Sequence, residues 1–419
     1  MSVQLVLLLG AAFCFHVFSS TLDTKEQWAR VSKEEWYRSP SVNVFDLIQK
    51  NNEFAFNFYR SLVSQNPGPN IIFSPLSISI SMGFLALGAR GRTKTEILEG
   101  LSFNLTETPE ADIHQGFQLL LQILRRPGVS LQVNISTDVF MDGQLELKKN
   151  FLLGAWALYS AEVISTDFSD LTSTEDFIND YVEKKTKGRI QDMVHDLDED
   201  TRMVLVNSIF FKGKWKVPFN IDNTLMSDFY MNMGRKMRIP MMRADYLRVP
   251  YFQDRMLHCT VVQLPYMNSS ASILLILPKL GRMPLLELSL QLDKFYHWRD
   301  SLKMRKVALF LPKFLISWDY DLEQVLPDMG IVNIFSQQSD LSGLSTTTKN
   351  LSLSKMVHKA VLGVTEEGTE AATTTRRPII HISGKPKVVR FNRPFLVAII
   401  SEETQGILLL GKVTNPQRV

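Results

Sequence analysis

Apolar side chains in the first half of the chain recur at the spacing of a helix face. Over residues 44–63 they stand three or four positions apart, as in an amphipathic helix. Ser74 and Pro75 begin a second stretch of this kind, and proline suits a first helical turn because its missing N–H would have no partner there. A third stretch begins near Ser173, with Asp176 at the spacing of a capping box and Gly188 as a C-terminal cap. The pattern therefore predicts helices in this half.

The hydrophobic pattern changes after about residue 200. Residues 203–211 form an almost unbroken apolar run, which is expected of a strand covered on both faces. Similar runs recur at residues 272–277, 307–311, 395–400 and 407–410. No internal repeat or low-complexity tract divides the chain. The sequence therefore predicts one large α+β domain at residues 45–419.

The N-terminal segment predicts the compartment. Residues 3–18 are almost wholly apolar, and no Asp, Glu, Lys or Arg precedes Asp23. This run is too short for a membrane helix, and it ends in small residues around Ser19 that suit signal peptidase. We expect a cleaved signal peptide at residues 1–19, an N-terminal extension at 20–44, and a secreted, extracellular protein. No later run is long enough to cross a membrane.

A secreted chain is expected to be glycosylated at some of its Asn-x-Ser/Thr sequons. The four sequons are at Asn104, Asn134, Asn268 and Asn350. Asn134 lies in an alternating pattern that predicts a strand, so it is the least expected of these sites.

The composition is that of an ordinary globular protein and gives no sign of a nucleic-acid partner. Hydrophobic residues make up 45% and charged residues 21% of the chain, which excludes a disordered or collagen-like protein. The 46 Lys and Arg residues against 43 Asp and Glu residues leave a charge of +3, too small a bias to predict nucleic-acid binding. Cys14 would be lost with the signal peptide, which leaves Cys259 alone, so no disulfide is expected.

No motif of catalytic or cofactor-binding chemistry is present. The chain lacks the GxSxG, P-loop, GxGxxG and HExxH patterns, and its seven histidines include no pair at helical metal-ligand spacing. Cys259 stands in an apolar strand pattern, which favours a buried, inert thiol over a nucleophile. We therefore expect no enzyme, no metal site and no cofactor.

A run of small residues near the C-terminus is the most informative segment. Residues 363–367 begin as a strand, residues 368–375 are mostly Gly, Ala and Thr, and residues 376–387 are polar with two prolines. This composition alone favours a flexible, exposed loop. Small side chains and the strand preference of Thr would also allow the segment to enter a sheet as a new strand.

Several segments together resemble one known family. They include NIIFSPLSIS at residues 70–79, VNSIFFKGKW at 206–215, FNRPF at 391–395 and GKVTNP at 411–416, with further matches at residues 104–107, 113–117, 340–343 and 357–360. From about residue 45 to residue 417 the chain is similar to the serpins, and in particular to their secreted, antitrypsin-like branch.

The resemblance implies both a fold and a function. The fold would be the α+β serpin fold, with about nine helices around three β-sheets and an exposed reactive-centre loop at about residues 368–390. The function would be suicide-type inhibition of serine proteases. In that mechanism a protease cleaves the loop, stays attached as an acyl-enzyme, and is inactivated when the loop inserts into the large sheet.

The resemblance also implies roles for individual residues. The hinge of the loop would be Gly368, Thr369, Glu370, Ala371, Ala372, Thr373, Thr374 and Thr375. The shutter, a polar cluster beneath the strands that open, would be Ser74, Ser77, Asn207 and His358. Trp215 would lie at the breach, where the loop enters the sheet.

The position of the cleaved bond predicts the class of protease. Counting 14 residues on from Gly368 gives Ile382–Ser383, and counting back from Phe391 gives a bond one residue later. The β-branched Ile382 suits an elastase- or chymotrypsin-like pocket better than a trypsin-like one. We expect such a serine protease as the partner of a monomeric protein, with no nucleic-acid or membrane partner.

Heparin binding is not expected from the basic residues. The helix that ends before Arg125 is not basic, although heparin sites require a basic surface. A basic cluster is interpreted as a solvated face; it consists of Arg235, Lys236, Arg238, Arg243 and Arg248.

Some residues depart from the pattern of the family and support an alternative. Thr137 and Asp138 stand where members usually carry Gly-Asn, and Ser208 replaces an aromatic residue; these positions are close to the shutter. Arg377 and Pro378 follow the hinge and suit a central strand badly. The alternative function is therefore that of a non-inhibitory serpin, either a substrate of proteases or a carrier of a small ligand.

The first prediction concerns Arg377. Side chains alternate across a strand, so if Thr369 points into the sheet on insertion, Arg377 does too. Burying an unpaired guanidinium costs several kcal/mol, and this cost arises late in insertion, which gives the acyl-enzyme time to hydrolyse. Replacing Arg377→Val and Pro378→Ala together should lower the number of molecules consumed per elastase- or chymotrypsin-like protease inhibited.

The same segment predicts how trypsin-like proteases behave. They should cleave at Arg376–Arg377 without being trapped, because the inserted segment would be too short. Titration of the protease with each variant measures the consumption ratio, and an unchanged ratio would show that Arg377 is not buried on insertion.

Overall fold

The computed structural model describes residues 43–126, 132–231, 234–346, 351–369 and 385–417. These ranges contain nine α-helices: α1 Val44–Gln65, α2 Pro75–Gly88, α3 Gly91–Gly100, α4 Glu110–Leu124, α5 Lys149–Tyr159, α6 Leu171–Thr186, α7 Met283–Leu288, α8 Leu292–Ser301 and α9 Leu322–Val325. They also contain fourteen strands: β1 Ile71–Phe73, β2 Gln132–Asp142, β3 Glu162–Thr166, β4 Met203–Lys212, β5 Leu225–Tyr230, β6 Lys236–Asp254, β7 Cys259–Pro265, β8 Ala271–Pro278, β9 Lys303–Pro312, β10 Phe314–Asp321, β11 Lys355–Val364, β12 Lys387–Arg390, β13 Phe395–Ser401 and β14 Ile407–Val413.

The predicted helices are present, and one predicted cap is wrong. Helix α2 begins at Pro75, and the side chain of Ser74 caps it by accepting from the backbone N–H of Ser77. Helix α6 begins at Leu171 instead of Ser173, and its cap is Asp170, whose Oδ1 accepts from Ser173 N at 3.2 Å. Asp170 is the cap because a carboxylate is a strong acceptor for the free N–H groups of a first turn.

The smaller sheet has five strands in the order β10-β11-β4-β2-β3. Every residue from Met203 to Phe211 of β4 is buried, as the unbroken apolar run predicts. The reason is that helices cover both faces. Leu205 and Ile209 belong to the main core with α2, whereas Val204 and Val206 pack in a second cluster with Ile178 and Val182 of α6.

The larger sheet has nine strands and unites two sheets that the family resemblance treats separately. Its path is β1-β14-β13-β8-β7-β6-β9-β12, with β5 added beside β6. The 19-residue β6 connects the two parts, because its N-terminal half pairs with β5 and its C-terminal end pairs with β7. The three expected sheets are therefore two hydrogen-bonded sheets among the described residues.

The C-terminal end of the predicted loop is a strand. Residues 387–390 were expected to belong to the exposed loop, but they form β12, which pairs in parallel with β9. This pairing fixes one end of the loop segment on the larger sheet.

The described sequons and the cysteine lie where their chemistry requires. Asn104, Asn134 and Asn268 are exposed, including Asn134 on β2, whereas Asn350 lies outside the described residues. Burial raises the pKa of the Cys259 thiol to about 12, so this cysteine stays protonated and inert. Within the described ranges, no helix is long and apolar enough to cross a membrane.

A buried ion pair links the last strand, β14, to helix α7. Lys412 of β14 donates to Glu287 of α7 at 2.7 Å, and the hydroxyl of Tyr59 in α1 donates to the same carboxylate oxygen at 2.9 Å. The side chains of Lys412 and Glu287 are 1% and 9% exposed. Each charge therefore depends on the other for its stability in the folded protein.

Replacing Glu287→Gln should destabilise the fold, because it leaves the Lys412 ammonium buried without a counter-charge. We expect a loss of about 3–5 kcal/mol in the free energy of unfolding. Urea unfolding measures this loss. The control is Arg92→Gln, which removes a pair with a 79% exposed arginine and should cost less than about 1 kcal/mol. Equal effects of the two substitutions would contradict the assignment.

Candidate functional site

The centre of the five-stranded sheet is a parallel ladder between β4 and β11. Pairing begins at Val204 with Lys355 and ends at Phe210 with Val361. The outer neighbours of these two strands, β2 and β10, pair with them in antiparallel fashion. The sheet is therefore in a closed form, and β4 and β11 are the two strands that a central insertion would separate.

The four predicted shutter residues lie together beneath this ladder. Asn207 is on β4, His358 is on β11, and Ser74 and Ser77 are at the start of α2; all four side chains are buried. Ser77 Oγ donates to Asn207 Oδ1 at 2.8 Å, and the backbone N–H of Ser74 donates to His358 Nε2 at 3.0 Å. Helix α2 thus holds one side chain from each strand of the ladder.

One hydrogen bond in this cluster crosses the ladder directly. His358 Nδ1 lies 2.6 Å from Asn207 Oδ1. Because Nε2 accepts from Ser74, the neutral ring carries its proton on Nδ1, which therefore donates to the amide oxygen. Separating β4 from β11 must break this bond.

Two further residues, Ser81 and Thr137, join this polar cluster, although the resemblance does not place them among the shutter residues. Asn207 Nδ2 lies 2.7 Å from Ser81 Oγ and 3.3 Å from Thr137 Oγ1, and these two hydroxyls are 2.8 Å apart. Ser81 is four residues after Ser77 on α2, a spacing that places both on one helix face and was a usable signal. In the sequence, Thr137 stands out only as a departure from the family pattern. The pairing of β2 with β4 places it opposite Asn207.

The neighbouring departure, Asp138, does not join the shutter. Alternation along β2 turns its side chain to the opposite face of the sheet, where Lys185 of α6 donates to it at 2.6 Å. Burial raises the pKa of Asp138, while the charge of Lys185 acts to lower it. Ser208 lies opposite Ser136 and is buried.

Burial decides the charge of the histidine. His358 has no exposed surface, and this burial lowers its pKa to about 3. The imidazole is therefore neutral at physiological pH, which agrees with one ring nitrogen donating and the other accepting. A charged ring would have two donors, and the bond from Ser74 N–H would be lost.

Trp215 lies at the end of β4, beside the last residues of the turn that follows β11. Its indole Nε1 donates to Thr365 O at 2.8 Å, and its backbone N–H donates to Glu367 O at 2.8 Å. The ring stacks on Tyr266 with the centroids 4.6 Å apart. Trp215 is 2% exposed, and its two hydrogen bonds attach the 365–367 turn to the end of β4.

The hinge begins in contact with the same strand end. The backbone N–H of Thr369 donates to Gly213 O at 2.8 Å, and Gly368 forms an antiparallel bridge with Lys214. Gly368 has φ = 151°, and a Cβ there would collide with Gly213 O, so only glycine fits. The remaining hinge residues, Glu370 to Thr375, and the bond residues Ile382 and Ser383 lie outside the described residues.

A buried carboxylate fixes the turn before the hinge. Glu366 accepts from Thr224 Oγ1 at 2.9 Å and pairs with Lys313 at 3.1 Å. Burial would raise the pKa of Glu366, but hydrogen bonds from the backbone, Lys313 and Thr224 hold it below its ordinary value. Among the described residues no group of three or more His, Cys, Asp or Glu side chains could hold a metal. The hydrogen bonds described above hold two strands and a turn together.

Known proteins match this chain over most of its length. The family model described as "Serpin (serine protease inhibitor)" matches residues 49–416. Human alpha-1-antichymotrypsin is 45% identical, with 98% of this chain and 97% of that protein covered. Serpin A3-8 of Bos taurus is 47% identical, with 93% of each covered.

Solved structures give the same fold. Human thyroxine-binding globulin has a TM-score of 0.85 and 38% identity, covering 89% of this chain and 99% of that one. Human glycosylated kallistatin has a TM-score of 0.84 and 41% identity, covering 90% and 100%. The predicted α+β serpin fold is confirmed.

The buried histidine predicts a pH dependence of stability. At a pH below about 6.5 the unfolded chain protonates His358 but the folded chain does not, so acid favours unfolding down to the folded pKa of about 3. This residue should contribute a loss of about 1.4 kcal/mol per pH unit in that window. His358→Gln should remove that part of the pH dependence.

Urea unfolding at several pH values measures the difference between the wild type and the variant. The matched control is His195→Gln, at an exposed position. If His358→Gln unfolds with the same pH dependence as the wild type, the histidine is not held neutral by its surroundings.

Proposed function

This chain belongs to the serpin family, and we propose that it is a secreted inhibitor of serine proteases that acts by loop insertion. The observation that carries the proposal is the relation between the parallel ladder and the start of the hinge. The chain runs along β11, turns at residues 365–368, and returns antiparallel to β4 where Gly368 bridges Lys214. Thr369 thereby lies at the end of β4, where its N–H donates to Gly213 O.

The direction of the two strands favours insertion at this place. A strand that runs between β4 and β11 from Thr369 onward would be antiparallel to both. Insertion would replace one parallel ladder with two antiparallel ladders, and antiparallel pairing is somewhat more stable per residue. This difference, together with the extra hydrogen bonds, supports a native state that stores free energy until the loop is cut.

Side-chain size supports insertion over the first part of the loop. Thr369 is already 3% exposed beneath the breach, and Ala371, Thr373 and Thr375 share its strand parity. These residues are small enough to pass over the shutter. Insertion must break the backbone ladder between β4 and β11 together with the bond from His358 to Asn207 that crosses it.

The inhibitory reaction would then proceed as in the family. The serine Oγ of the protease forms an ester with the carbonyl carbon of Ile382, the bond to the nitrogen of Ser383 breaks, and Ser383 becomes a new N-terminus. The freed segment inserts from Thr369 downward and carries the attached protease with it. Distortion of the protease before water attacks the ester would complete the inhibition.

Secretion is part of the proposal. The apolar N-terminal segment supports it, as do the exposed sequons at Asn104, Asn134 and Asn268. The inhibitory function is supported by the names of several relatives, such as "Serine proteinase inhibitor 2.4" of Apodemus sylvaticus at 46% identity. We propose a monomer, with an elastase- or chymotrypsin-like protease as its target.

The alternative is a non-inhibitory carrier. The similarity to thyroxine-binding globulin favours this reading, because that protein is a globulin that binds thyroxine. Here the segment between β13 and β14 has no aromatic side chain, and Glu402 is engaged with Gln263 and Ser272. The inhibitor is therefore the better-supported function.

The hinge residue Thr369 provides the test of the proposed function. Wild-type protein, recovered from the medium of mammalian cells, should form an SDS-stable adduct with an elastase- or chymotrypsin-like protease, and cutting its loop should raise its melting temperature. Thr369→Arg should be cut at a similar rate but consume more than about tenfold more molecules per protease inhibited, since a buried charge opposes insertion. Thr369→Ser is the matched control.

The outcomes separate the two functions. A wild type that is cut without an adduct and without a rise in melting temperature would favour the non-inhibitory reading. Retention of the chain in the cytosol without glycans would contradict secretion.

A further inference from the structure

The positive charge of the protein is concentrated on one part of the larger sheet. We call the strands β5, β6, β9 and β12 the outer sheet. These strands carry nine Lys and Arg residues against three Asp residues, whereas the whole chain has 46 basic against 43 acidic residues. The rest of the chain is therefore acidic on balance, and the outer sheet is a basic surface on a nearly neutral protein.

Like charges lie side by side on this sheet. Arg248 stands directly opposite Lys306 in the ladder between β6 and β9. The guanidinium groups of Arg243 and Arg390 lie 5.6 and 4.2 Å from the centre of one ring, that of Phe310. The contacts of Arg243 and Arg390 with this ring are attractive, whereas like charges directly opposite each other, such as Arg248 and Lys306, destabilise a sheet. A fold that retains the Arg248–Lys306 pair despite this cost suggests a use for the positive potential.

Exposed apolar side chains are interleaved with the basic ones. Six large hydrophobic residues of the outer sheet are exposed: Leu225, Met226, Tyr230, Tyr246, Met304 and Val388. Arg, Tyr and Met together are typical of protein–protein interfaces. A sulfated polysaccharide would require the charges alone, so the mixture favours a protein partner.

Both ends of the loop segment are attached to the outer sheet or to residues directly next to its strands. Before the loop, Glu366 binds Thr224, which precedes β5, and Lys313, which follows β9. After the loop, β12 pairs with β9. Ile382, the residue before the proposed cleaved bond, is three residues before Lys385 in the sequence. The chain between them can therefore span no more than about 11 Å. A protein that attacks this bond must come close to the outer sheet.

We infer that the outer sheet is a second contact surface for the target protease, and that the target carries an acidic surface beside its active-site cleft. This inference rests on the proposed function and adds the chemistry of the partner. The charges would raise the association rate by steering, and Met304 and Val388 would add apolar contact once the complex forms. The basic cluster is then an interaction site and not only a solvated face.

The experiment measures how fast a protease consumes the intact chain, counting adduct and cleaved product together. The probes are two chymotrypsin-like serine proteases of matched specificity, one with an acidic and one with a basic surface around the cleft. The variants are Arg248→Glu with Lys306→Glu, and Arg390→Gln as a milder change. The matched control reverses two exposed lysines outside this sheet, Lys149→Glu with Lys279→Glu.

For the acidic protease the double reversal should lower the second-order rate constant about tenfold at an ionic strength of about 0.05 M, and Arg390→Gln should lower it less. The difference should nearly vanish at about 1 M salt, where charges are screened. The control should leave the rate unchanged, and the basic protease should react faster with the double reversal. Val388→Ser should lower the rate at both salt concentrations.

Each other outcome overturns the inference in a distinguishable way. If adducts form but the double reversal and the control react alike, the outer sheet is not a contact surface and the proposed function stands. If only added heparin makes the rate depend on these residues, the surface binds a polyanion instead. If no protease forms an adduct or cuts the loop of the wild type, the proposed function and this inference both fail. Unfolding midpoints equal to that of the wild type exclude a folding defect of the variants.

Discussion

Strands β4 and β11 pair in parallel at the centre of the five-stranded sheet, and the rest of the site is arranged around this ladder. A third strand between them would be antiparallel to both and would gain hydrogen bonds on each side. The turn after β11 returns the chain to the open end of the ladder, where Trp215 and Gly368 hold it against the end of β4. A strand inserted between β4 and β11 would therefore form hydrogen bonds that the closed sheet lacks.

The polar cluster beneath the ladder opposes that insertion without a buried charge. Asn207 and His358 are buried, and each finds hydrogen-bond partners on α2 as well as on the other strand. Because the interior is a poor solvent for ions, the cluster can hold the strands together only while the imidazole is neutral. A polar network of this kind, in which the groups have hydrogen-bond partners, favours the closed sheet. Its hydrogen bonds can still break when the strands separate.

The two sheets would have different roles in the proposed inhibitor. The five-stranded sheet would receive the loop after cleavage, whereas the outer sheet supports both ends of the loop before it. The shutter cluster of Ser74, Ser77, Asn207 and His358 is buried and uses neutral groups. The outer sheet is exposed and would use charge in recognition, so selection of the protease and its inactivation would depend on different residues.

The sequence by itself determined the start of α2 at Ser74 and Pro75, the doubly covered strand β4 and the family, because apolar spacing and local motifs are properties of neighbouring residues. It named Ser74, Ser77, Asn207 and His358 through the resemblance, but it missed Ser81 and Thr137 as partners of Asn207. Only the tertiary structure decided the neutral state of His358, the union of two sheets by β6, and the gathering of the basic residues of β6, β9 and β12 on one sheet. Burial, strand register and the gathering of distant charges depend on which segments become neighbours, and no local pattern records that.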